Sequence, residues 1–273
     1  MSSFCYKRKP LVKRRHKVYK KRLLLYRIKL IIKVSLFISL TTFLLIIFKN
    51  IFKIREIKIN SDVSFYKHED YIKAGNITVG RDFLFLNTDK VRQNIEEKLP
   101  FAKVSNMSKK FPGKLVLSIN KADSFAAFRW NKNFVITDPY LKILEIKDNI
   151  EPNINLIEGV EIFEPKPGFK IKIKDNEKKL LTENLLHLMK DNSLNCSLKI
   201  DISNNENINL DYEDRIFIKF GSSKDLERKI KALKEILNNK VKSKEKGNLD
   251  FTMFSENNKL YFMPIKENGK QGI

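Results

Sequence analysis

Histidines, cysteines and paired carboxylates are the residues that most often carry chemistry, and here they are few and scattered. The histidines are His16, His68 and His187. None has a companion at metal-ligand spacing, so each reads as a surface or partly packed residue. Cys5 and Cys196 lie far apart and make neither a disulfide framework nor a zinc pattern. The string GSSKD at 221–225 lacks the GxxxxGK[ST] spacing of a phosphate-binding loop. Glu56, Asp62, Glu69 and Asp70 are not paired for acid–base work, and no Ser or Cys stands in a nucleophile motif. Trp130 reads as a core or hairpin aromatic. These residues predict a binding protein that is not an enzyme and needs no cofactor and no metal.

The elements that must carry such a binding function begin with an anchor. The 273-residue chain has a formal net charge of +22. No Asp or Glu precedes Glu56, and residues 1–33 hold 13 Lys and Arg. A run of this kind reads as a solvated, poorly ordered arm that contacts either nucleic acid or anionic lipid. The following segment decides for lipid. Residues 34–48 carry no charge, and the 19 residues 30–48 span about 28 Å as a helix, the thickness of a bilayer's hydrocarbon core. Lys29 and Lys33 snorkel at one end, and Lys49 and Lys53 mark the other. The long basic n-region and the absence of a small-residue cleavage site predict an uncleaved membrane helix over 30–52. The charge asymmetry keeps the tail, 1–29, in the cytoplasm and puts the rest outside the plasma membrane. No nucleic acid is then expected as a partner; the tail meets anionic inner-leaflet lipid.

Beyond the anchor the order is strand, helix, helix, strand, strand. A strand is predicted over 54–60. A helix over 66–74 ends at Gly75 as its left-handed cap residue. A second helix starts with Thr88 as N-cap, carries Val91, Ile95 and Leu99 on one face, and stops at Pro100. Strands over 104–110 and 114–121 flank a turn at 111–113, with Leu115, Leu117 and Ile119 alternating inward. Two helices on one face of a three-stranded sheet follow. Further on, short strands are predicted near 125–130, 134–138, 143–146, 198–203, 208–212 and 215–220. Helices are predicted over 177–190 and from about 224, the latter capped by Ser222 or Ser223 and carrying the stripe Leu226, Ile230, Leu233 and Leu237. No internal repeat is visible. The domains expected are 1–29, 30–52, 54–122, 123–265 and a short tail, 266–273.

Several of these stretches resemble one family. The order of elements directly after a single anchor, together with the stretch KFPGKLVLSINKADSFAAF and its Pro112, Leu115, Leu117 and Ile119, resembles the FtsQ/DivIB cell-division proteins, whose membrane-proximal module is a POTRA domain. Lys121-Ala122-Asp123-Ser124 departs from that family's Glu-Arg-x-Pro. NFVITDPYLKILEI resembles its hairpin through Asp138, with Tyr140 in the turn, and LIEGVEI resembles a loop carrying Gly159. Phe220, Gly221, Leu226, Lys229, Ile230 and Leu233 match its strand–Gly–helix segment. GNLDFTMF resembles a following strand, with Asp250 matching and Thr252 in place of Arg. The resemblance implies an α+β fold: a single transmembrane helix, a POTRA-like domain, and a second mixed α/β domain with a largely antiparallel sheet.

It further implies a non-catalytic divisome assembly protein at the septum. Such a protein binds and stabilises FtsL-like and DivIC/FtsB-like membrane partners by β-strand addition. The candidate edge is 249–254 with 260–262 beside it, and the partner-binding residues expected are Leu249, Phe251, Met253, Phe254, Leu260, Tyr261 and Phe262. Alternation also permits Leu249, Phe251 and Phe262 to be plain core. The alternative reading is a membrane-anchored cell-envelope enzyme acting on peptidoglycan. A POTRA protein of outer-membrane export is disfavoured, because such proteins continue into a long C-terminal barrel.

Overall fold

The computed structural model describes residues 11–194, 197–239, 241–242, 245–257 and 259–265. The expected C-terminal tail, Cys5 and Cys196 lie outside them. The chain divides into two compact units. One joins the N-terminal helix to Val79–Leu86 and Lys109–Lys114, and the other holds the remaining segments.

In the first unit, α1 (Leu11–Ile51) is a single helix of 41 residues. Its stretch Lys21–Ile51 has a mean hydropathy of 2.5 in its most apolar window, none of it buried, and is the one described helix long and apolar enough to cross a membrane. The basic run from residue 11 is therefore helical and continuous with the anchor, where an irregular arm was expected. The reason is local: no Pro or Gly occurs from Leu11 to Ile51, so the basic run holds no residue that would separate it from the apolar helix.

A three-stranded sheet follows in the order β1-β3-β2, formed by β1 (Glu56–Ser61), β2 (Ala102–Lys110) and β3 (Lys114–Lys121). Leu115, Leu117 and Ile119 of β3 are buried as their alternation requires. Between β1 and β2 lie α2 (His68–Gly75), burying Tyr71 and Ala74, and α3 (Thr88–Lys98), burying Val91 and Ile95. Both cap expectations shift by one residue. Gly75 is the last helical residue, and an added Cβ there would sit 3.1 Å from the Ile77 side chain and 3.2 Å from Ile95. The left-handed cap is Asn76, at φ 51°. Asn87, not Thr88, is the N-cap of α3: its Oδ1 accepts from the Lys90 amide at 3.0 Å.

The rest of the second unit is built on a nine-stranded sheet, order β12-β11-β10-β9-β8-β7-β4-β5-β6. A meander opens it: β4 (Ala126–Trp130), β5 (Asn133–Thr137) and β6 (Ile143–Lys147), all antiparallel. Trp130 closes the β4–β5 hairpin opposite Asn133. Asp138 shapes the next turn, its Oδ1 accepting from the amides of Tyr140 at 2.9 Å and Lys142 at 2.8 Å. The outer side of β6 is partly closed by residues 168–171. Gly168 N donates to Ile143 O and Ile143 N to Phe169 O, at 2.8 and 2.9 Å. Lys147 adds ion pairs to Glu145 and Glu151.

The remainder of the sheet repeats one plan twice, contrary to the expectation of no internal repeat. In the first copy, β7 (Asn155–Glu158) leaves the sheet through Gly159, α4 (Asn176–Asp191) returns the chain to β8 (Leu198–Asp201) parallel to β7, and β9 (Ile208–Tyr212) runs antiparallel to β8. Part of the segment expected as a loop at 156–162 is thus strand. In the second copy, β10 (Ile216–Gly221), α5 (Leu226–Asn239), β11 (Gly247–Asp250) and β12 (Tyr261–Pro264) follow the same βαββ order and the same directions. One cross-strand row, Phe128, Ile157, Ile200, Leu210, Ile218 and Leu249, runs through the sheet and is fully buried in the core that includes α4 and α5. It ends on Phe262, which is half-buried.

Candidate partner-binding edge

Each repeat turns its chain with the same few groups. The parallel strand that returns from the helix ends on an Asp whose carboxylate holds the residue two places on. Asp201 Oδ1 accepts from the Ser203 amide (2.8 Å) and hydroxyl (2.6 Å). Asp250 Oδ1 accepts from the Thr252 amide (2.9 Å) and hydroxyl (2.6 Å). Hydrogen bonding to Ser203 and to Thr252, hydroxyl first, holds both carboxyls below the usual carboxylate range. A lysine in the first turn of each helix ties the strand exits. Lys178 Nζ donates to Gly159 O (2.6 Å) and Ser203 O (3.0 Å). Lys229 Nζ donates to Phe220 O (3.0 Å) and Ser222 O (2.8 Å). Lys229 is buried, and desolvation pulls its pKa down, with Asp225 opposing.

The Asp250 turn decides where the sheet ends. It stops β11 at Asp250 and leads into a single helical turn, α6 (Phe254–Asn257), so 249–254 is not one strand. β11 lies between β10 and β12 and is not an edge; the edge is β12. Ser222 and Ser223 do not begin α5, which starts at Leu226; the Ser222 hydroxyl accepts from Lys224 N at 3.4 Å.

The predicted contact residues separate accordingly. Leu249 and Phe251 are fully buried, and the Phe251 ring meets Phe220 at a tilt (5.4 Å) and Phe254 edge-on (5.6 Å). A docking strand cannot touch either while the fold stands. Phe254, Leu260 and Phe262 are half-buried against the same core. Met253 and Tyr261 are exposed, and so is Met263, which sequence reasoning missed. Its signal was present: Tyr261 and Met263 share a parity opposite to Phe262.

The edge has a defined backbone polarity. Ile265 N donates to Lys246 O at 2.9 Å. By antiparallel alternation, Tyr261, Met263 and Ile265 turn their amides inward to β11, whereas Phe262 and Pro264 turn theirs outward. Pro264 has no N–H, so the Phe262 amide and carbonyl are the central outward pair. Phe262 is seated by Gly247: a Cβ there would lie 2.7 Å from the Phe262 ring. On the open face, the register row beside the edge is Met263, Asn248 and Phe217. Phe217, at 41% exposure, is a second exposed apolar group in that row.

Elsewhere the polar residues hold structure. An open cleft of about 700 Å³ beside Gly159 is lined by Arg129, Glu158, Glu161, Lys174, Asp175 and Lys178, among others. Arg129 pairs with Glu158 (3.2 Å), Lys174 with Glu161 (3.0 Å), and Asp175 caps α4. His187 lies on the exposed face of α4, 3.0 Å from Asp191. Among the described residues no group of three or more His, Cys, Asp or Glu is placed to hold a metal.

One membrane-length helix, a β-α-α-β-β unit and a mixed sheet whose terminal strand no described element covers define an anchored protein of the POTRA-plus-sheet class. Residues 52–121 match the model of the POTRA domain of FtsQ type. The chain is 31% identical over 189 residues to the cell division protein DivIB of Clostridium tetani, covering 68% of this chain and 69% of that one. It is 28% identical over 254 residues to the cell division protein DivIB of Clostridium botulinum, covering 90% and 94%. The chain belongs to the FtsQ/DivIB family of bacterial cell-division proteins, and its apolar helix fits it as a membrane-anchored member.

Proposed function

We propose that the chain is a non-catalytic assembly protein of the division septum that captures FtsL-like and DivIC/FtsB-like partners by strand addition to β12. Its N-terminus lies in the cytoplasm, held by the basic segment before the span, which meets anionic lipid of the inner leaflet, and both domains lie outside. The observation that carries this reading is the outer side of β12. No described element covers it, its outward backbone groups centre on Phe262, and Tyr261 and Met263 stand exposed beside it. Natural sheets protect such edges unless they use them. The first repeat supplies the geometry of addition. β10 pairs antiparallel with β9, so a strand that stands to β12 as β10 stands to β9 is antiparallel as well.

The test is capture of the partners' extracytoplasmic segments by the full chain in nanodiscs. The double substitution Tyr261→Arg, Met263→Arg weakens capture about tenfold or more, a loss of at least ~1.4 kcal/mol, with circular dichroism unchanged. Capture that survives the double variant removes β12 from the interface. An unmodified chain that captures neither partner, singly or together, ends the assembly reading.

A further inference from the structure

We propose that Val79, Leu84, Phe85 and Phe111 form a lipid-docking tip that seats in the headgroup region of the leaflet where α1 ends. These side chains are 66%, 43%, 87% and 68% exposed, high values for large apolar groups outside a membrane span. All four belong to the same compact unit as α1.

Backbone hydrogen bonds fasten the tip to the helix end. Phe83 N donates to Phe52 O (2.8 Å), Ile54 N to Arg81 O (2.9 Å) and Gly80 N to Ile54 O (2.8 Å). From the other side, Arg55 N donates to Gly113 O (2.8 Å). Gly113 has to be glycine: its φ is +80°, and a Cβ would lie 2.1 Å from Lys53 O. Lys109 Nζ braces the loop from below, donating to Leu84 O (3.1 Å) and Leu86 O (2.8 Å). An aromatic series sets the depth. Phe48, the last residue of the charge-free run, contacts Phe52 at 4.4 Å, and Phe52 contacts Phe111 at 5.7 Å. Phe111 is thus two ring contacts from a residue of the hydrocarbon span, which is headgroup level, where aromatic side chains are favoured.

Charge selects the kind of lipid. Lys49, Lys53, Arg55, Arg81, Lys109 and Lys110 belong to the same compact unit as the tip, against Asp82 and a Glu56 paired to Lys114 at 2.7 Å. Anionic headgroups of the outer leaflet complement that basic rim by direct charge attraction, screened by salt. A bilayer also has priority over a protein partner as the occupant. The span holds the tip at the membrane surface at all times, so docking carries little further cost in translational freedom.

The experiment uses the full chain in nanodiscs, with Trp130→Phe as background and Phe85→Trp or Phe111→Trp as the probe. Lipids brominated near the headgroup end of the acyl chain should quench both probes roughly twofold, and aqueous iodide should reach neither, as for interfacial aromatics. Phe217→Trp, on the open sheet face, serves as the reference and should respond to iodide alone. Iodide quenching of the tip probes equal to that reference overturns the proposal. So does shielding from both quenchers, which would mean that protein, such as a second copy, covers the tip. Exchanging phosphatidylglycerol for phosphatidylcholine should reduce bromolipid quenching; unchanged quenching would overturn the role of the basic rim.

Discussion

The two βαββ repeats share a plan but tighten it at different points. In the first, backbone meets backbone: a Cβ on Gly159 would lie 2.2 Å from Ser203 N, and Lys178 sits partly in solvent. In the second, the same place is roomier. A Cβ on Gly221 would be 3.6 Å from Thr252, and the tie is made by Lys229, buried to 1% exposure. The last strands differ too, since β9 is covered by β10 and β12 by no described element. An interior repeat holds its crossover by close approach of two chains. The terminal repeat, with one neighbour fewer, relies on a desolvated amine and two carbonyls.

The sharpest break in this comparison comes from the glycines. Gly159→Ala combines a positive φ with a backbone clash and should cost about 3 kcal/mol or more, whereas Gly221→Ala carries only the left-handed cost, about 1–2 kcal/mol. Urea unfolding of the full chain in detergent, followed by the fluorescence of Trp130, measures both. Equal losses would mean that the two exits are equivalent. Next come the lysines. Lys229→Met strands the buried Phe220 carbonyl and the half-buried Ser222 carbonyl and should cost about 1–3 kcal/mol, while Lys178→Met, whose carbonyls are half-buried or exposed, should cost about 1 kcal/mol or less. A reversed order would place the tighter tie in the first repeat.

The smallest effect concerns what the repeats share. The Asp201 and Asp250 carboxyls titrate lower in the folded chain than the unfolded value of about 3.9. In the window between the two values the unfolded chain holds more protons. The contribution is therefore complete above about pH 4 and is lost as pH falls through the folded value. Asp201→Asn and Asp250→Asn should each flatten the acid limb of a plot of urea midpoint against pH, and to a similar degree. A limb that neither substitution changes would show that these turns add no acid-sensitive stability.

What could be read from the sequence followed physical period. The anchor, the helix stripes of Val91 and Ile95 or Leu226, Ile230, Leu233 and Leu237, and the alternation of Leu115, Leu117 and Ile119 are repeated signals, and the structure buries those stripes. The repeat was hidden because its common groups do not recur at fixed spacing. Gly159 and Lys178 are far apart in sequence, Gly221 and Lys229 close, and the turns use Ser in one copy and Thr in the other. The edge was misplaced because Leu249, Phe251 and Met253 alternate like a strand. The Asp250–Thr252 hydrogen bonds, a local turn with no apolar signature, end it early. Thr88 and Gly75 failed as caps for a related reason: Asn serves either end of a helix, and both neighbouring positions hold Asn.

The partial closure of β6 by residues 168–171, together with its charged Lys147, makes the two ends of the sheet unequal. A sheet open at both ends is a bifunctional monomer and propagates; a sheet open at one end is monofunctional and terminates. On the proposed function, strand addition at β12 would face a far end that is partly closed through Ile143 and carries the charged Lys147, which disfavours a second addition there. Complexes built in this way would favour stoichiometric addition, one strand for each copy, over continued sheet growth.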